Sequence, residues 1–215
     1  RDPRWGRTGE SYGEDPFLAA EMARGFVRGF MGPDPRYMKA VPTAKHYFAN
    51  NSEFDRHVSS SNMDSRDMRE FYLYPYKRLI EDEHLPSIMS SYNAVNHVPT
   101  SASVFYLDTL ARRSWGMKGY VTGDCAAIQD IWDGHYYADT REEATAMGLR
   151  AGVDSDFQNL SMPPLWKTCS ALSSASTPSK SNATRSSAIA VSENSLPSAR
   201  RLSTTFAMFT ARSPI

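Results

Sequence analysis

Cysteine is nearly absent from this chain: Cys125 and Cys169 are the only two in 215 residues. Two thiols so far apart offer neither a metal-site spacing nor a disulfide framework, and they leave the redox compartment undetermined. Charge of one sign is lacking too, because 24 Lys and Arg balance 24 Asp and Glu. Zero formal net charge gives no electrostatic ground to expect a nucleic-acid or anionic-membrane partner. No apolar run approaches the ~20 residues that cross a bilayer. The opening Arg1-Asp2-Pro3-Arg4-Trp5 has no initiator Met, charged n-region or apolar h-region, so it predicts no signal peptide and reads like the interior of a domain.

Other absences are local. Residues 158–215 contain no glycine, no tyrosine and a single acid, Glu193, beside 14 serines. All 12 glycines and all 11 tyrosines fall in residues 1–157. A globular segment without turn glycines is unusual, and serine enrichment with few acids predicts a flexible or poorly specified stretch. Two readings account for the seam: a disordered tail, or a reading-frame shift near Asp156 in the encoding DNA. Residues 1–157 are then one body and 158–215 a separate, Ser-rich tail. A 40% hydrophobic content gives enough apolar residues for one core.

What is present in residues 1–157 alternates helix and strand. Asp15-Pro16 opens an amphipathic helix over Phe17–Phe30, with Asp15 as its N-cap and Pro16 in its first turn. Lys39–Tyr47 reads as a strand, and Asp64–Glu81 as a helix that Pro75 bends or interrupts. Ser87–Ser91 is a strand, Ser103–Ser114 a helix, Gly119–Thr122 a strand, Arg141–Arg150 a helix and Ala151–Asp154 a strand. Hydrophobic strands alternating with helices predict an α/β fold with a parallel, helix-covered sheet. About four βα units are visible, roughly half of a (β/α)8 TIM barrel, which usually needs ~250 residues.

The strand ends carry the chemistry. The run Gly119-Tyr120-Val121-Thr122-Gly123 stops at Asp124, as a barrel strand presents a catalytic acid to a pocket. The first strand delivers Lys45-His46, the second Ser91-Tyr92-Asn93, and a turn-rich segment upstream holds Arg7. Such donors and acceptors suit a ring of sugar hydroxyls. Glycoside hydrolysis passes through an oxocarbenium-like state that a carboxylate can stabilise or trap. Each residue also has a plainer reading: Asp124 as a helix cap, Lys45-His46 as a surface pair, Arg7 pinned to Glu10 or Glu14, Tyr92 as a core aromatic. Trp5, Trp115 and Trp132 are either sugar platforms or core.

The segments DPRWGRTGESYGEDP (2–16), AKHYFANNSEFDR (44–56), IMSSYNAVN (88–96) and WGMKGYVTGDCAAI (115–128) resemble glycoside hydrolase family 3. They resemble its β-glucosidase and β-xylosidase branch, in the family's order and at compatible spacings. The resemblance implies a retaining exo-acting enzyme, with Asp124 as nucleophile and Arg7, Lys45, His46 and Tyr92 as sugar contacts. It implies no metal and no organic cofactor; the substrate would be a β-linked oligosaccharide or an aryl glycoside. In these branches the acid/base Glu lies in a second domain, and Glu193 has no matching motif. Gly123 departs from the family, which leads one to expect Ser or Thr before the nucleophile. Asp55 and His57 echo the Asp-His dyad of the β-N-acetylglucosaminidase branch, but the glycines of that loop are absent and Asn50-Asn51 fits the glucosidase–xylosidase pattern. Asp124-Cys125, where many glucosidases have Asp-Trp, leans toward xylose.

Two consequences follow for charge and assembly. A cation such as Lys45 or Arg7 beside Asp124 would hold it ionised. Half a barrel exposes two sheet edges, which predicts self-association unless a partner covers them. The alternative to an enzyme is an incomplete, non-catalytic fragment with weak carbohydrate binding. An unrelated barrel with phosphate-binding loops is disfavoured, since no Gly-rich cradle occurs.

Overall fold

Asp15 sets the first long helix. Its side chain accepts a hydrogen bond from the Leu18 amide at 2.6 Å, and Pro16 fills the first turn of α1, Pro16–Met31. Gly32, at φ 82°, ends the helix. The computed structural model describes residues 3–34 and 36–156; the tail from 158, Glu193 and Cys169 lie outside the described residues. The inward face of α1 is small (Ala20, Ala23, Val27), which lets it lie close against a later helix.

Strand β1, Thr43–Tyr47, is shorter than the sequence predicts. It starts only after Pro42, which has no N–H for the ladder. A two-residue strand follows, β2, Ser60–Ser61. The predicted 64–81 helix is divided. Asp64 caps a single turn, α2 (Ser65–Asp67), a π turn covers Met68–Tyr72, and α3 runs Tyr74–Glu83 with Pro75 in its first turn. Pro75 therefore interrupts the pattern as expected, and the wide turn upstream absorbs its missing donor. Strand β3, Ser87–Ser90, is wholly buried. Two short strands, β4 (Ala94–Val95) and β5 (Val98–Pro99), join β2 in a small second sheet that the sequence pattern did not indicate.

A 3-10 turn (Thr100–Ala102) and a π-type helix (Phe105–Ser114) lead to strand β6, Tyr120–Gly123. The chain then forms α4 (Ala127–Asp133), α5 (Arg141–Ala151) and β7 (Ser155–Asp156). Here the predicted strand Ala151–Asp154 is corrected. Ala151 still belongs to α5, Gly152 at φ 101° closes that helix, and the strand forms after it.

The main sheet is parallel throughout, in the order β1-β3-β6-β7. Consecutive helix-linked strands are spatial neighbours, as in part of a TIM-barrel-like α/β domain. Register pairs Tyr47 with Ser90, Ser90 with Gly123 and Gly123 with Asp156. The residues just past those positions therefore emerge along one edge of the sheet. Tyr47, Phe48, Ile88, Leu107, Val121, Ile128 and Ile131 form a fully buried centre beneath it. Two buried phenols find partners: Tyr47 donates to the Tyr106 carbonyl at 2.9 Å and Tyr76 to the His46 carbonyl at 2.7 Å. Among the described residues no helix is long and apolar enough to cross a membrane, and no His, Cys, Asp or Glu cluster suits a metal ion.

Candidate active site

Asp124 leaves β6 at the edge that the register defines, and its amide donates to the Ser90 carbonyl at 3.2 Å. Its side chain is buried. One carboxylate oxygen accepts from the Cys125 amide at 2.8 Å, and the other lies 3.0 Å from His46 Nε2. Tyr92 supplies a further hydrogen bond. Burial pushes the Asp124 pKa up. The donors from His46, Cys125 and Tyr92 outweigh it and hold the carboxyl below its ordinary value of 3.8. Tyr92 moves the other way: burial first, then the Asp124 charge, raises its phenol. The carboxylate thus stays ionised while the phenol keeps its proton to donate.

The predicted cations are present but differently employed. Glu10 takes Arg7 in a two-pronged pair, Nε to Oε1 at 2.9 Å and Nη2 to Oε2 at 2.7 Å. The same carboxylate lies 3.5 Å from Lys45 Nζ, whose side chain is buried. This pairing lowers the Glu10 pKa and raises that of Arg7. The nearest described charge partner of Asp124 is therefore His46, not Lys45 or Arg7 as expected, although Arg7 lies within reach of the Asp124 field. Arg7 is pinned to Glu10, as one sequence reading had it, and its Nη1 lies 3.9 Å from Glu53 Oε1.

The five residues singled out in the sequence fall into two linked groups: Asp124, His46 and Tyr92 in contact, and Arg7 with Lys45 across Glu10. Their neighbours Ser91 and Asn93 are engaged by other parts of the protein instead. Ser91 Oγ pairs with Thr100 Oγ1 at 3.0 Å, and the Asn93 amide donates to the carbonyls of Phe48 and Ala94. Asp55 is exposed and does not partner His57; His57 Nδ1 pairs with Asp130 Oδ2 at 2.8 Å, so the dyad does not form. Trp5 is buried and donates to Glu53 Oε1 at 3.0 Å. Trp115 meets Tyr47 edge-on at 6.5 Å, and the Arg141 guanidinium covers Trp132 at 5.0 Å.

Reasoning on motifs alone passes over several neighbours. Glu53 accepts from Arg56 at 3.0 Å, Arg56 lies 4.8 Å from the centre of the Tyr92 ring, and the His57 ring lies 4.4 Å from it. His135 Nε2 meets the Tyr92 carbonyl at 2.7 Å. Burial raises the pKa of Asp130, and its bond to His57 offsets part of that rise.

Residues 1–178 match the glycosyl hydrolase family 3 N terminal domain. The chain belongs to this family. Family 3 relatives include the exo-1,4-β-xylosidase bxlB of Emericella nidulans, 41% identical over 73% of this chain. β-D-xylosidase 3 of Arabidopsis thaliana is 37% identical over 72%. In both cases the chain spans 21% of the relative's length. Among solved structures, the family 3 exo-β-xylosidase XlnD in complex with a xylobiose aziridine activity-based probe superposes with a TM-score of 0.75 at 34% identity, over 81% of this chain and 23% of that one. The β-glucosidase EmGH1 of Erythrobacter marinus gives 0.73 at 30% identity, over the same shares.

Proposed function

We propose that the chain carries the nucleophile half of a retaining exo-β-glycosidase site, acting on terminal non-reducing β-D-xylosyl units in preference to β-D-glucosyl units. The observation that carries the reading is Asp124: a buried strand-end carboxylate kept ionised by His46, the Cys125 amide and Tyr92. Asp124 attacks the anomeric carbon, forming a glycosyl ester as the C–O bond to the leaving group breaks. Water then attacks the same carbon, breaking the ester and restoring the carboxylate. Arg7 and Lys45 hold sugar hydroxyls, and His46 and Tyr92 orient the nucleophile. Xylose is favoured by the xylosidase names among the relatives and by Cys125 following the nucleophile. By the family resemblance the general acid, worth ~10²–10⁴-fold, would lie in a further domain.

The test is intact-mass analysis of the full chain after incubation with 2-deoxy-2-fluoro-β-xylosyl and -glucosyl donors bearing good leaving groups, which need little protonation. An adduct on the peptide containing Asp124, absent in Asp124→Asn and faster with the xylosyl donor, is the expected result. The second reading, a carbohydrate-binding piece without turnover, is favoured by the 21% span over the relatives. A folded chain that takes no adduct from either donor but still binds xylobiose would favour it.

A further inference from the structure

Tyr92 is held by more than the site reading requires, and the residues holding it have no sugar-contacting role assigned above. Arg56 and His57 come from the loop after β1, and Asp130 and His135 from α4 and the turn behind it. Arg56 Nε, which can only donate, lies 3.3 Å from His57 Nε2, so that nitrogen accepts and the ring proton sits on Nδ1. Nδ1 then donates to Asp130 Oδ2 at 2.8 Å. Glu53 fixes the other end of the chain through Arg56 Nη1 at 3.0 Å. The result is one hydrogen-bonded line, Glu53–Arg56–His57–Asp130, laid against the Tyr92 ring. His135 meets the Tyr92 carbonyl at 2.7 Å, and its own amide bonds to the Asp130 carbonyl at 2.7 Å. Gly134 permits the close approach, since a Cβ there would lie 2.2 Å from the His57 carbonyl oxygen.

We propose that this line is a positioning device for Tyr92, with Asp130 as its anchor on the helix that follows the nucleophile. The inference rests on the glycosidase reading only for its kinetic consequence. Asp130 is buried and touches no group that faces the sugar; it acts through His57. Because Tyr92 donates to Asp124, a loosened ring misplaces one of the donors that set the nucleophile's position and charge. One end of the line is thus tied to α4, which carries Asp130 six residues after Asp124.

The test uses the full chain with ring-¹³C tyrosine, the Tyr92 resonance being assigned with Tyr92→Phe. In Asp130→Ala the Tyr92 resonance should move toward that of an exposed tyrosine. The rate constant for trapping by the 2-fluoroxylosyl donor should fall about tenfold or more, with little change in the half-saturating donor concentration. Asp130→Asn, whose amide oxygen can still accept from Nδ1, should recover most of both effects. An unmoved resonance with an unchanged trapping rate in Asp130→Ala overturns the proposal. Should Asp130→Ala fail to fold by circular dichroism, His57→Gln, at a partly exposed position, takes its place with the same two outcomes. A wild-type chain that is never trapped refutes the glycosidase reading alone, and the resonance still decides the clamp.

Discussion

Gly123 stands directly before Asp124, where the family resemblance leads one to expect Ser or Thr, and its partner on the next strand accounts for the exchange. A Cβ at Gly123 would lie 2.4 Å from Asp156 Oδ1, the two residues being paired across β6 and β7. Gly123→Ala should therefore cost ~1–3 kcal/mol, read as a fall in Tm, and Asp156→Ala in the same chain should relieve it. The charge state of Asp124 gives a second expectation. Its folded pKa lies below its ordinary value of 3.8, so the ionised form adds stability above that pH. That contribution is lost as pH falls through the folded pKa. Tyr92→Phe removes one donor and should move the acidic limb of the trapping-rate profile to higher pH. A limb that stays in place would mean that His46 and the Cys125 amide suffice.

Elements were legible wherever a local rule decided them. Asp15-Pro16 announced α1 because a cap and a first-turn proline act within four residues. Asp15→Ala should cost about 1 kcal/mol of stability, measured by urea denaturation. The strand that follows α5 was misplaced because apolar character alone does not distinguish a helix's last turn from a strand; Gly152 was the deciding residue. The small sheet of β2, β4 and β5 escaped notice because two-residue strands carry no periodicity. The strand-end positions of Lys45, His46, Tyr92 and Asp124 and the Arg7–Glu10 pair were readable from motif and position, whereas the places of Glu53 and Asp130 were not. Their roles depend on which loops meet in space. Gly119 shows the same limit: a Cβ there would lie 1.7 Å from the Pro86 carbonyl oxygen, where β6 begins beside β3. Gly119→Ala should destabilise by ~3 kcal/mol, the top of the usual overpacking range, because backbone cannot swing aside. A Tm within a degree or two of wild type would contradict that.

At the scale of the molecule, the sheet ends at β1 and β7 among the described residues, and α1 turns Leu18, Met22 and Phe26 outward at four-residue spacing, 52%, 52% and 40% exposed. Light scattering should show mass rising with protein concentration, and Met22→Lys with Phe26→Lys should reduce it. Association that survives both substitutions would point to the sheet edges instead. The order of the parallel strands has one more consequence, for synthesis. Each strand of the main sheet pairs with the strand of that sheet made before it, so units can dock one after another as the chain leaves the ribosome. Arg7, Lys45 and His46 are translated first, Tyr92 next and Asp124 after them. Asp124 thus enters a frame whose first two strands are already made, and pulse-labelled hydrogen exchange on stalled nascent chains would show β1–β3 protection preceding that of β6.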